Sequence, residues 1–133
     1  MSKLAAGRIK ATDLMGYAFM DQNDVRAAFE TDFADRGALK SGEYLEEHIV
    51  ERARRMATNH RLALIEVLRE WLLLREEPKT MIAVAVVREL RVIELRKEVM
   101  DLKKEVEAGK VFRLWYARNI DKAISVLDGT ERA

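Results

Sequence analysis

An all-α fold built from antiparallel helix pairs is what this sequence predicts. Three observations carry that expectation. Apolar residues recur at intervals of three and four along most of the chain, the spacing of one helix face. The 133 residues include one proline and six glycines, too little turn material for a β architecture. A hydrophobic share of 49% supplies a core at a length that fits one domain.

Residues 1–12 carry Lys3, Arg8 and Lys10 and no acid, and read as a mobile basic tail. Residues 13–133 read as a single helical domain. Its first part, 13–40, is expected to hold irregular structure and short helices. Six acids stand against Arg26 alone between residues 13 and 35. Asn23 is placed to cap a helix over about 23–36, because its side-chain oxygen can accept a free first-turn amide. Val25, Ala28, Phe29 and Phe33 then share a face, and Gly37 can close the helix in a left-handed conformation. Asp13 to Met20 adds at most another turn or two, weakened by Gly16.

A helix is expected over 41–58, opened by Ser41 or Gly42. Leu45, Ile49, Ala53 and Met56 form its stripe, opposite Glu43, Glu47, Glu51, Arg54 and Arg55. Thr58 and Asn59 interrupt the pattern and can cap the next helix. Arg61 to Glu77 is the strongest apolar block, with Leu62, Leu64, Ile65, Val67, Leu68, Trp71, Leu72, Leu73 and Leu74 around most of the cylinder. A helix of that kind needs cover on several sides, so it is expected to be central. Pro78 interrupts the chain, and Thr80 is expected to start a helix through Leu90. A further stripe, Leu95, Val99, Leu102 and Val106, runs to a stop at Gly109. Val111 to Leu127 is expected to form the last helix, ended by Asp128 and Gly129.

The pattern repeats. Leu64, Leu68 and Trp71 match Leu95, Val99 and Leu102 at an offset of 31 residues. Ala83, Val86, Leu90 and Ile93 match Ala117, Ile120, Ile124 and Leu127 at an offset of 34. A helix-pair unit therefore occurs twice, over 59–92 and 93–127, with a period in the range of α-solenoids. The stretch Leu68–Trp71–Leu72, Pro78, Ala83–Val86–Val87–Leu90 resembles a HEAT-like repeat, and so does Leu95–Val99–Leu102, Gly109, Ala117–Ile120–Ile124–Leu127. The resemblance implies stacked helix pairs that present a surface to proteins or, less often, to nucleic acid. The sequence departs from the family between Arg91 and Glu94, where no glycine, proline or good N-cap separates the two units. The alternative is a bundle with one long, coiled-coil-like helix over 80–107.

Side-chain chemistry excludes more than it supports. The absence of cysteine removes disulfides, thiolate metal sites and cysteine nucleophiles. His48 and His60 are the only histidines. His48 precedes Glu51 by three residues, the reverse of the glutamate-first order in bridged di-metal bundles, and no second pair exists. Asp21-Gln22-Asn23-Asp24-Val25 begins like a calcium loop but lacks the later ligands and the glycine. Ser2, Ser41 and Ser125 have no histidine near them in sequence, no glycine-rich phosphate loop occurs, and Glu76–Glu77 read as a solvated helix end. No catalytic residue, metal or cofactor is expected.

The formal charge of +1 gives no drive toward nucleic acid or an anionic membrane. The basic clusters Arg52, Arg54, Arg55, Arg61 and Lys103, Lys104, Lys110 are interleaved with acids. The longest apolar run, Met81 to Val87, is too short for a membrane span, and no signal-like apolar stretch comes after Lys10. A cytoplasmic protein without a membrane partner is expected. Interface residues remain: Phe112, Trp115 and Tyr116, of the type that dominates binding hot spots, with the basic side chains Arg113 and Arg118. Their other reading is the core of a terminal repeat. The expected role is a non-catalytic protein-interaction module, a small adaptor or scaffold. A structural subunit of a larger assembly of the virion or secretion-machine type, homo- or hetero-oligomeric, is the alternative. A nucleic-acid-associated regulatory factor comes after it.

Overall fold

The structure, a computed structural model, describes residues 20–35 and 42–129. These residues form six α-helices: α1 (Gln22–Ala34), α2 (Gly42–Ala57), α3 (Arg61–Leu74), α4 (Glu77–Leu90), α5 (Arg96–Glu107) and α6 (Ala117–Leu127). Single 3₁₀ turns, Ile93–Leu95 and Leu114–Tyr116, lead into α5 and α6. No strand occurs among the described residues, so the all-α expectation holds. The basic tail, the expected turns over 13–19 and the Gly37 stop lie outside the described residues.

Helix α1 opens on Asp21 rather than Asn23. The Asp21 carboxylate accepts from the Asp24 amide at 2.9 Å, and the Asp24 carboxylate accepts from the Asp21 amide at 3.1 Å. This reciprocal box satisfies two free donors where an Asn23 cap would satisfy one. Asn23 instead accepts from Arg26 at 2.6 Å. The stripe of α2 is as expected, with Leu45, Ile49, Ala53 and Met56 buried. His60, not Thr58 or Asn59, is the residue that precedes α3.

Helix α3 is central, packed against α1, α2, α4 and α5. Its apolar cover is incomplete, because Leu62, Leu73 and Leu74 face solvent. It ends at Leu74 and not at Glu77, since Arg75 turns left-handed at φ 55°. Thr80, fully buried, locks the corner: its hydroxyl donates to the Trp71 carbonyl at 2.7 Å and accepts from the Glu76 amide at 3.0 Å. Helix α4 therefore begins at Glu77, ahead of the expected Thr80. Pro78 sits in its first turn, where a missing amide hydrogen costs nothing.

The long helix over 80–107 does not form. Helix α4 stops at Leu90, and Arg91 is left-handed at φ 52°. The Val92 amide reaches back to the Val87 carbonyl at 3.0 Å, and Val92 itself is buried. That is the bond pattern of a glycine-type helix stop, held here by an arginine. The expected final helix also starts later than Val111. Gly109 and Phe112 both take positive φ, at 75° and 55°, so α6 begins at Ala117.

Pairing and stacking are regular. Consecutive helices pair as α1·α2, α3·α4 and α5·α6, and each helix also packs on the next but one: α1·α3·α5 on one side, α2·α4·α6 on the other. Arg61 meets Glu94 at 2.8 Å, Arg69 meets Glu98 at 2.8 Å and Arg75 meets Glu105 at 2.9 Å, so α3 and α5 run parallel. Leu64, Leu68, Trp71, Leu95, Val99 and Leu102 are all buried, which joins the first repeat match in one core. The second match slips: Ile93 is exposed although its counterpart Leu127 is buried. Helix α4 ends at Leu90 and α6 at Leu127, about one turn further apart than the 34-residue offset. A stripe spaced by three and four reads almost the same in either register.

Candidate functional site

The five residues singled out from sequence lie together, on the link from α5 to α6 and on the first turn of α6. Helix α5 ends at Glu107, and Gly109 turns the chain with its φ of 75°. The Lys110 amide bonds the Glu105 carbonyl at 2.9 Å. The left-handed Phe112 then sends Arg113 into an extended conformation at φ −90°, ψ 147°. Residues Leu114–Tyr116 come next as a single 3₁₀ turn, which sets three consecutive side chains around a tight corner.

The aromatic side chains divide into supports and an exposed ring. Phe112 and Tyr116 are half-buried and meet edge to face, with centroids 5.9 Å apart. Tyr116 stacks on Trp115 at 4.1 Å with an interplanar angle of 25°. The Tyr116 hydroxyl donates to Glu77 Oε2 at 2.8 Å, which ties the corner to the start of α4. Burial first, and then the Glu77 carboxylate, push the Tyr116 hydroxyl above the usual phenol range. Trp115 is 62% exposed and Leu114 64% exposed. The indole is therefore held in place by its neighbours, and its outer face is open. Phe112 is packed against the core and Tyr116 against Phe112, whereas Trp115 presents its outer face.

Leu114, Trp115, Arg118 and Asn119 line a shallow depression of ≈ 470 Å³. Arg113 and Arg118 are exposed, and so is Lys122 one turn beyond Arg118. None of these three pairs with a carboxylate among the described residues. The nearby acids are engaged: Asp121 with Lys103 at 2.8 Å, Asp128 with Arg96 at 2.7 Å and Glu77 with Tyr116. The surface thus combines an oriented aromatic plane, an exposed leucine and cations that pair with no described carboxylate.

Leu114 and Asn119 were not singled out from sequence. Leu114 lies inside the aromatic run, and a 3₁₀ turn rather than a helix is what turns it outward. Glu77 reads as a solvated helix end in sequence but is the acceptor that fixes Tyr116. The separation of Glu77 from Tyr116 along the chain leaves no local signal for that bond.

Asp32, Arg52 and His48 act in packing. Asp32, buried on α1, accepts from Arg52 at 2.7 and 3.0 Å and faces His48 Nε2 at 3.1 Å. His48 is thus committed to a helix–helix contact and not to Glu51. No group of three or more histidines and carboxylates placed to hold a metal occurs among the described residues. Among them, no helix is long and apolar enough to cross a membrane. No family model, characterised protein or solved structure matches this chain.

Proposed function

We propose that this chain is a non-catalytic protein-interaction module, a small adaptor or scaffold of the cytoplasm, with HEAT-like stacking of its helix pairs. The observation that carries the reading is Trp115: an indole 62% exposed, yet stacked on Tyr116 and anchored through Tyr116 to Glu77. Ordering a side chain costs conformational entropy on binding, and a ring already held in one orientation avoids most of that cost. Arg113 and Arg118 flank it in sequence and have no carboxylate partner among the described residues, which favours a partner surface bearing carboxylates. Recognition needs neither a cofactor nor a catalytic residue.

Photo-crosslinking in the native host tests this. A crosslinker at Trp115 is expected to trap defined protein partners that the same group at Leu62, also exposed but on α3, does not trap. Arg113→Glu with Arg118→Glu is expected to weaken capture of those partners while leaving the helical content unchanged. Equal trapping from both positions, or capture indifferent to the charge reversal, would sink this face. A structural subunit of a larger assembly is the second reading, favoured by the contrast in charge between the first and last helix pairs. Nucleic-acid association has weaker support, because acids lie among both basic clusters; it predicts salt-dependent binding to single-stranded or duplex DNA.

A further inference from the structure

The two ends of the stack differ in charge. Acids outnumber bases nine to six in residues 20–57, the two balance at six each in 58–95, and bases outnumber acids eight to six in 96–129. Among the described residues, helix α1 packs chiefly on α2 and α3, so its far side ends the stack. Asp24, Ala27, Thr31 and Asp35 lie along that side at helical spacing and are all exposed. Its middle is a shallow floor of small side chains between two carboxylates, about 16 Å apart along the axis. Helix α6 packs chiefly on α4 and α5 and, among the described residues, ends the stack on the other side, with Trp115 and with Arg113 and Arg118, which pair with no described carboxylate.

We propose that this chain associates head to tail with copies of itself: the Trp115 corner of one copy seats on the Asp24–Ala27–Thr31–Asp35 side of α1 in the next. The inference rests on the protein-binding reading of the Trp115 face and names its partner. The indole plane meets the small-residue floor, and the two arginines, on either side of it in sequence, meet the carboxylates at the two ends of that floor. An acidic segment of another protein has the same chemistry, but this chain carries its own complement, and its two complementary faces lie on different helix pairs. Two different patches in a one-way contact make a heterologous interface, which closes into a ring or continues as a filament. Opposite charges at the junction make the association fall with salt.

Sedimentation velocity of the full chain from micromolar to millimolar concentration tests this. The expected result is a mass that rises with concentration at low salt and returns toward the monomer at high salt. Two variants sharpen it. Arg113→Glu with Arg118→Glu makes both ends acidic; Thr31→Lys with Asp35→Lys removes the acidic excess of the first end, places two cations on the docking side of α1 and leaves the Asp21–Asp24 cap intact. Each variant is expected to be monomeric alone, with helical content unchanged by circular dichroism, and their equimolar mixture to associate again. A strictly monomeric wild type, a variant that still assembles alone, or folded variants whose mixture stays monomeric overturns the proposal. A strict monomer that still yields partners crosslinked at Trp115 overturns self-association and leaves the protein-binding reading standing.

Discussion

Single residues decide where this chain turns. Arg75, Arg91 and Phe112 all hold positive φ, at 55°, 52° and 55°, a region that costs a residue with a Cβ about 1 kcal/mol or more. Glycine would take those positions freely, and its absence hides two of the three corners from sequence. Thr80 shows how one such corner is held, its hydroxyl serving both the Trp71 carbonyl and the Glu76 amide in a fully buried position. Thr80→Val keeps the shape and removes both bonds. It is expected to destabilise the fold by about 1–3 kcal/mol, read as a lower urea midpoint at unchanged slope. Trp115 behaves oppositely. Its ring is largely in water, so Trp115→Ala is expected to change stability by less than about 0.5 kcal/mol while abolishing capture at its face. A large loss of stability in that variant assigns the ring to packing.

At the scale of elements, stripes were legible, and so were the ends at Leu90, Glu107 and Leu127, whereas the starts of α4, α5 and α6 were not. Leu45–Met56 and Leu95–Val106 marked the buried faces of α2 and α5 correctly, because burial follows the helical period. The end of α4 at Leu90 was legible from its stripe, but the cause of the break was not, since Arg91 and Val92 make by backbone geometry and burial what glycine usually signals by identity. The aromatic corner was legible as residues and misread as helix, because Phe112 gives no sign of its left-handed turn. The ion pairs along α3 were legible only as mixed charge; their partners lie 29 to 33 residues away. These pairs give the fold a pH dependence of definite sign. Hydrogen bonds from Arg61 hold Glu94, from Arg75 hold Glu105 and from Arg26 hold Glu70 below the usual carboxylate range. A depressed folded-state value means that the contribution is complete above the unfolded glutamate value, about 4.3, and is lost as pH falls through the folded value. Exposure keeps each contribution small. Stability is expected to stay level from neutral pH to about 5 and to fall below about 4.3, less steeply in Arg61→Gln with Arg75→Gln. An equally steep fall in that variant assigns acid unfolding to other carboxylates.

The whole molecule raises the question of whether three stacked pairs unfold as one. Helix pairs that meet mainly their neighbours unfold together only where the contacts between pairs outweigh the instability of each pair. Here the core runs without interruption from Val25 and Phe29 on α1 to Ile120 and Leu127 on α6. Trp71 stands near its middle, packed on Phe29 at 5.3 Å and Phe33 at 5.2 Å. The inter-helix ion pairs are surface interactions worth little each, so coupling between pairs has to come from this shared apolar core. The chain's two tryptophans report on different parts of it: Trp71 on the contact between the first two pairs, Trp115 on the last. With Trp115→Phe, the remaining Trp71 is expected to emit at short wavelength and shift to the red on unfolding. With Trp71→Phe, the remaining Trp115 is expected to emit at long wavelength already in the native state and to report unfolding through loss of its stacking on Tyr116. If the core couples all three pairs, each signal coincides with the loss of helical circular dichroism in the same variant, at one urea midpoint. If the Trp115 signal is lost at lower urea than the helices, the last pair unfolds by itself, and the face it carries belongs to the least stable part of the molecule.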